Sequence, residues 1–91
     1  MKEIIEANYK SIVDRGLISP STTKLDFINK LFEEVHEFEE SIYDLNWANI
    51  EEELADVIMV CLNFAKHYDI DIEEEIKKKI KVNKQRAKDG K

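Results

Sequence analysis

Hydrophobic positions along the chain recur at the three- and four-residue spacing of α-helices. From Ile4 to Val13 this spacing predicts a helix that ends near Gly16, where glycine can adopt the left-handed conformation that closes a helix. A second helix is predicted after Thr23, because Asp26 three residues later completes the pattern of a capping box. The predicted apolar stripe of this helix consists of Leu25, Ile28, Phe32, Val35, Phe38, Ile42 and Leu45.

Two further helices follow from capping residues and apolar content. Asn49, with Glu52 three residues on, predicts the start of a third helix whose interior, from 54 to 65, is apolar on nearly all sides. Asp71, with Glu74, predicts a fourth helix that frays into the C-terminal tail. Since the chain has only two glycines and one proline, few positions favour turns. We therefore predict an all-α, four-helix bundle formed by a single domain over residues 1–91, with a basic tail from about residue 84.

The length of the chain limits the core that it can form alone. A chain of 91 residues hides a smaller fraction of its surface on folding than a larger domain does. The third helix is apolar on nearly all sides, and the other helices of so small a chain do not bury all of this surface. We therefore expect a homodimer or homotetramer in which oligomerisation completes the core.

The longest apolar run lies around residues 57–61 and is too short to span a bilayer. The first residues also lack the apolar segment of a signal peptide. These features predict a cytoplasmic protein without a membrane partner. Cys61 is the single cysteine and lies within the apolar run, which predicts a buried thiol.

The chain has a formal net charge of −6, and its acidic and basic residues occupy different stretches of the sequence. Residues 33–56 include ten acidic residues and no Lys or Arg. Residues 77–91 include eight basic residues and one acidic residue. Acidic regions attract cations and basic regions attract anions, so the centre of the chain is a candidate cation site and the tail a candidate anion site.

Four central carboxylates are candidates for a metal site. At 100° per residue, Glu34 and Glu37 share one face of the second helix, and Glu53 and Asp56 share one face of the third. Two such pairs on neighbouring antiparallel helices would converge, and buried carboxylates require a compensating cation. Oxygen ligands select Mg²⁺, Mn²⁺ or Ca²⁺ rather than zinc. Glu33 points closer to solvent, which leaves it a supporting or catalytic role.

These acidic residues also resemble a known signature. Glu33-Glu34-x-x-Glu37, then fifteen residues, then Glu53-x-x-Asp56, resembles the EExxE…ExxD pattern of the MazG-like nucleoside triphosphate pyrophosphohydrolases, relatives of dimeric dUTPases and phosphoribosyl-ATP pyrophosphatase. The resemblance implies that Glu34, Glu37, Glu53 and Asp56 bind Mg²⁺, with Mn²⁺ as an alternative. It further implies that Glu33 assists the attacking water as the catalytic residue.

Substrate phosphates require cations beyond the acidic centre, and the tail offers them. The family resemblance extends to a layout that closes near Lys79, Asn83 and Arg86, and it relates Asn83 and Arg86 loosely to a phosphate-binding motif. Lys84 and Arg86 have no acidic residue four positions earlier to pair with. The candidate substrate-binding residues are Lys79, Asn83, Lys84 and Arg86.

The predicted function is Mg²⁺-dependent hydrolysis of a nucleoside triphosphate to a monophosphate and pyrophosphate, without nucleic acid as a partner. Two alternatives stay open. The first is a non-catalytic helical interaction module with a basic, nucleic-acid-binding tail, which predicts no divalent-metal site. The second is a pyrophosphatase of the same fold that acts on phosphoribosyl-ATP or another nucleotide diphosphate linkage. The sequence does not identify the base or the sugar of the substrate.

Overall fold

The computed structural model describes residues 1–90 and is helical throughout, as predicted. Within this range no strand forms, and none of the helices has both the length and the apolar content needed to cross a membrane. Lys91, the last basic residue of the predicted tail, lies outside the described residues. The helices are α1 (Lys2–Asp14), α2 (Lys24–Asp44), α3 (Trp47–His67) and α4 (Ile72–Lys88).

Three of the predicted helix boundaries are confirmed by their capping interactions. α1 ends at Asp14, and Gly16, two residues later, has a φ of 75° in the left-handed region. At the start of α2, the Asp26 amide donates to Thr23 Oγ1 over 3.2 Å, and the Thr23 amide donates to Asp26 Oδ2 over 2.8 Å. This reciprocal box also holds the pKa of Asp26 below its usual value. Asp71 Oδ1 accepts from the Glu74 amide at the start of α4.

The connection between α2 and α3 is shorter than predicted. Asn46, rather than Asn49, caps α3, and its Oδ1 accepts from the Asn49 amide over 3.2 Å. Leu45 ends α2 in a left-handed conformation with a φ of 55°. Only two residues then separate the helices, so α2 and α3 are antiparallel neighbours and pack along their lengths. The predicted fraying of α4 is wrong, because it continues through the basic tail to Lys88.

The core lies where α1 and the first half of α2 meet the second half of α3. The Phe27 ring packs edge-on against Phe64, with ring centroids 5.5 Å apart, and in a tilted arrangement against His67, at 5.1 Å. His67 Nε2 donates to the Thr22 carbonyl over 3.2 Å, which leaves Nδ1 to accept from the Tyr9 hydroxyl over 2.8 Å. These contacts join α1, the segment before α2, α2 itself and α3 into one unit. The buried apolar residues are Ile18, Phe27, Leu62 and Ala65.

The apolar stripe predicted for α2 does not form the core of this chain. Leu25 and Phe32 are 66% and 67% exposed, while α2 buries the neighbouring face that carries Phe27, Glu34 and Ser41. Phe38 alone of the predicted stripe is half-buried. We call the exposed members that lie within α2 the outer stripe. It consists of Leu25, Ile28, Phe32, Val35 and Ile42.

Apolar side chains on α3 and α4 are exposed as well. Ile58 on α3 is 49% exposed, and Ile76 and Ile80 on α4 are 43% and 46% exposed. Cys61 is exposed, so the predicted burial of its thiol is wrong for the single chain. α4 contributes no buried residue. Oligomerisation stays a prediction, and these surfaces are the ones that it would cover.

Candidate metal centre and adjoining cavity

Three of the four predicted metal ligands come together between α2 and α3. One carboxylate oxygen from each of Glu34, Glu37 and Glu53 lies within 4.8 Å of the others. Glu34 and Glu37 share a face of α2 because they are one turn apart, and the antiparallel packing of α3 brings Glu53 opposite them. Glu34 is 8% exposed, Glu53 is half-buried and Glu37 is exposed.

The cluster holds more negative charge than its surroundings balance. Glu34 Oε2 and Glu53 Oε2 are both buried without a hydrogen-bond partner. Among the residues that the structure describes, the one cation paired with the cluster is Lys30, whose Nζ lies 3.1 Å from Glu34 Oε1 and whose pKa is raised by that contact. Buried carboxylate oxygens without a partner cost free energy, which a further cation between α2 and α3 would recover.

The raised pKa values of Glu37 and Asp56 are consistent with the same excess of negative charge. The hydrogen bond that Glu37 shares with Glu34, and the negative charges of Glu34 and Glu53, raise the pKa of Glu37. Burial, followed by the charge of Glu34, raises the pKa of Asp56. Like charges held close together favour protonation, whereas a divalent cation would reverse that preference.

An open cavity of about 660 Å³ adjoins the cluster and is lined by residues of α1, α2, α3 and the segment between α1 and α2. Glu33, Glu34 and Asp56 line it together, so Asp56 faces the same space as Glu34, the one clustered carboxylate in the described lining. Asp56 is more exposed than the sequence predicted. The apolar residues of the lining are Ile12, Leu17, Ile18, Phe27, Met59 and Val60.

A family model described as the MazG nucleotide pyrophosphohydrolase domain matches residues 22–90. The chain belongs to the MazG family. The match confirms the family resemblance seen in the acidic signature, and it includes α2, α3, α4 and every predicted site residue. α1 precedes it. Comparison with curated proteins and with solved structures gave no match.

Up to residue 90, the basic tail of this MazG family protein does not line the cavity of its own chain. Lys79, Asn83, Lys84 and Arg86 all lie on α4, are exposed, and are absent from the cavity lining. The positively charged residues of the lining are instead Arg15 and Lys30. A role for the tail in substrate binding stays a prediction that requires a second chain.

The sequence analysis assigned no role in the site to the Asn8–Asn63 amide pair, which lines the cavity. Asn8 Nδ2 on α1 donates to Asn63 Oδ1 on α3 over 2.7 Å. Asn63 follows Asp56 by seven residues, or two helical turns, and this spacing places both on one face of α3, although it does not identify Asn63 as a site residue. Asn8 gave no comparable signal, because its position depends on how α1 docks onto α3.

Proposed function

We propose that this MazG family protein hydrolyses nucleoside or deoxynucleoside triphosphates to the monophosphate and pyrophosphate in a Mg²⁺-dependent reaction. The observation that carries the proposal is the pair of buried, unpartnered oxygens, Glu34 Oε2 and Glu53 Oε2, held across α2 and α3. They lie in a chain of a nucleotide pyrophosphohydrolase family, beside a cavity large enough for a small molecule.

The donor set fits a hard divalent cation. Glu34, Glu37 and Glu53 would hold it, and Asp56 would approach from the cavity. All of these ligands are carboxylates, the donors that Mg²⁺ and Mn²⁺ accept, and no His or Cys belongs to the cluster found within residues 1–90. A Glu37 or Asp56 carboxyl with a raised pKa becomes fully ionised once a cation offsets the neighbouring charges.

The surrounding residues suit the attack of water on a phosphoanhydride. When bound, the metal ion neutralises phosphate oxygens and makes a water molecule more acidic. Glu33 is exposed, lines the cavity beside Glu34, and is the residue we assign to accept the proton of the attacking water. Lys30 and Arg15 line the same cavity and offer positive charge to the phosphates. The products require cleavage of the anhydride between the α- and β-phosphates.

We further propose that the working unit is a homodimer or homotetramer in the cytoplasm, with residues 1–91 as one domain. The packing of α1 on α3 supports a single domain. The exposed outer stripe supports association, since covering it would remove large apolar side chains from water. In such an assembly the tail residues Lys79, Asn83, Lys84 and Arg86 of one chain would approach the cavity of another.

A substrate panel tests the proposed activity. The purified protein, given canonical and modified (d)NTPs and phosphoribosyl-ATP with Mg²⁺ or Mn²⁺, should release pyrophosphate from at least one triphosphate and stop when EDTA is added. Orthophosphate as the first product would contradict the proposal. Exclusive turnover of phosphoribosyl-ATP would favour the alternative substrate class, and no turnover with any of these substrates would favour a non-catalytic module.

Two variants connect the activity to the acidic cluster. Glu53→Gln should abolish turnover while the helical circular dichroism signal stays unchanged. Glu51→Gln is the matched control, because Glu51 is an exposed glutamate on the same helix and lies outside the cluster. Equal activity in both variants would show that the cluster is not the site.

A further inference from the structure

We propose that the cavity next to the acidic cluster binds the nucleoside part of the triphosphate, and that the Asn8–Asn63 amide pair selects its base. This inference rests on the proposed function, and it names the part of the substrate that the acidic cluster leaves unrecognised. The ligand chemistry is a base edge that presents a hydrogen-bond donor beside an acceptor.

The dimensions of the cavity suit a nucleoside attached to phosphates at the cluster. Asp56 and Asn63 line the same cavity, and their separation of seven residues on α3 corresponds to about 10 Å along the helix axis. The acidic cluster therefore lies near one end of the space and the amide pair two turns away. A volume of about 660 Å³ falls within the usual range for small-molecule sites.

The amide pair keeps hydrogen-bonding capacity that the protein does not use. The 2.7 Å bond between the two residues engages Asn8 Nδ2 and Asn63 Oδ1. Asn63 Nδ2 and Asn8 Oδ1 make no hydrogen bond to other groups within residues 1–90. Asn63 is only 7% exposed, so its side chain is directed into the interior and faces the cavity. An adjacent donor and acceptor held in a pocket that also has apolar walls can read the edge of a base.

The remaining lining suits the faces of a base. Phe27 and Met59 offer an aromatic and a thioether surface, and Ile12 on α1 and Ile18 in the segment after α1 add aliphatic surface. Specificity then depends partly on α1, which precedes the region matched by the family model. Asn8 thus comes from outside the region that supplies the carboxylates, whereas Asn63 shares α3 with Glu53 and Asp56.

A second residue of α1, Tyr9, provides a control for changes in how α1 docks onto α3. Tyr9 is the neighbour of Asn8 and bonds to His67, four residues after Asn63, but Tyr9 does not line the cavity. Tyr9→Phe removes a hydrogen bond between α1 and α3 without changing the cavity wall. It therefore separates an effect of loosened helix docking from an effect on base recognition.

The experiment compares kcat/KM for a panel of (d)NTPs that differ only in the base, in the wild type, Asn8→Ala, Asn8→Asp and Tyr9→Phe. Asn8→Ala should reduce the discrimination between the best and the next base by about tenfold. In Asn8→Asp the Asn63 amide can rotate to donate to the new carboxylate, so the link between α1 and α3 persists while the cavity presents an acceptor in place of a donor. This variant should change which base is preferred. Tyr9→Phe should keep the wild-type preference.

A second arm uses binding and is independent of turnover. The probes are α,β-methylene triphosphate analogues with each base, titrated by calorimetry in the presence of Mg²⁺. Base-dependent binding that Asn8→Ala weakens would support the inference even if the wild type hydrolyses nothing, and the proposed function alone would then fail. Hydrolysis with the same order of base preference in the wild type, Asn8→Ala and Asn8→Asp would overturn the inference and leave the function standing.

Discussion

Lys30 Nζ lies 3.1 Å from Glu34 Oε1, one helical turn away on α2, and is the single cation paired with the acidic cluster within residues 1–90. Lys30 neutralises part of the charge of Glu34 while leaving Glu34 Oε2 without a partner. A divalent cation bound to Glu34 would therefore compete with this ion pair. We therefore expect Lys30 to stabilise the protein in the absence of metal and to oppose metal binding at the same carboxylate.

Replacement of Lys30 by methionine should show both effects. In EDTA, Lys30→Met should lower the free energy of unfolding by about 1 kcal/mol or less, because Lys30 is half-exposed and solvent screens the pair. Mg²⁺ should bind the variant more tightly, as measured by calorimetry. Lys10→Met is the control, since it removes an equivalent helical pair with Asp14 at 2.8 Å, away from the cluster. Weaker Mg²⁺ binding in Lys30→Met than in Lys10→Met would contradict this account.

The raised pKa of Glu37 predicts a pH dependence of stability in EDTA. Because the folded state holds this proton more tightly than the unfolded state, the stabilisation is complete below the ordinary pKa of 4.5 and is lost as pH rises through the raised value. Glu37→Gln should therefore be more stable than the wild type at neutral pH, and the difference should shrink towards pH 4.5. With Mg²⁺ present, the wild type should be the more stable protein.

Thermal unfolding between neutral pH and about pH 4.5 measures this difference without interference from Asp26, whose pKa is lowered from 3.8. Glu51→Gln serves as the control for removing a negative charge from the chain. If Glu37→Gln and Glu51→Gln shift the melting temperature equally at every pH, the clustered charges do not repel one another as the structure indicates.

Local features of the sequence predicted the helices and most of their ends. The Thr23 box and the Asp71 cap depend only on residues three positions apart, so they can be recognised without knowledge of the fold. The predicted start of α3 was wrong because the side chains of Asn46 and Asn49 can both cap a helix. The choice between them depends on Leu45 adopting a left-handed conformation, which is uncommon for leucine.

The packing of the helices was harder to predict than their existence. The spacing of apolar residues identified a stripe on α2 but could not show whether it faces α3 or another molecule. The convergence of Glu34, Glu37 and Glu53 followed from their spacing on two antiparallel helices. The Asn8–Asn63 contact could not be predicted in this way, because the two residues are 55 positions apart and meet only when α1 docks onto α3.

The outer stripe predicts how the chain associates. Phe32 lies at its centre and is 67% exposed, so Phe32→Glu would place a charge at the middle of any interface that uses this surface. By light scattering, we expect the wild type to have the mass of two or four chains. The Phe32→Glu variant should dissociate and have a lower mass. Glu40→Lys, a change of charge on the same helix outside the stripe, should leave the mass unchanged. A wild type that is monomeric at micromolar concentration would refute the assembly.

The tail predicts a contribution from one chain to the site of another. Arg86 is exposed on α4 and lies outside the cavity lining of its own chain. Its planar guanidinium can hold two phosphate oxygens, and residue 82 is a valine that does not compete for it. Arg86→Ala should lower kcat/KM for a triphosphate by about tenfold or more, about 1.4 kcal/mol, with little change in Mg²⁺ affinity in the absence of substrate. Full activity after truncation following Val82 would exclude a phosphate role for the tail.

Mixed assemblies reveal which chain supplies the arginine. Arg86→Ala and Glu53→Gln, coexpressed with different affinity tags and purified through both, give assemblies in which each chain carries one defect. If Arg86 acts across the interface, one site in a mixed dimer combines both defects and the other has neither, so activity exceeds that of either variant alone. If Arg86 acts within its own chain, every site keeps one defect and no activity is recovered. Because α4 lines no part of its own cavity, we expect recovery.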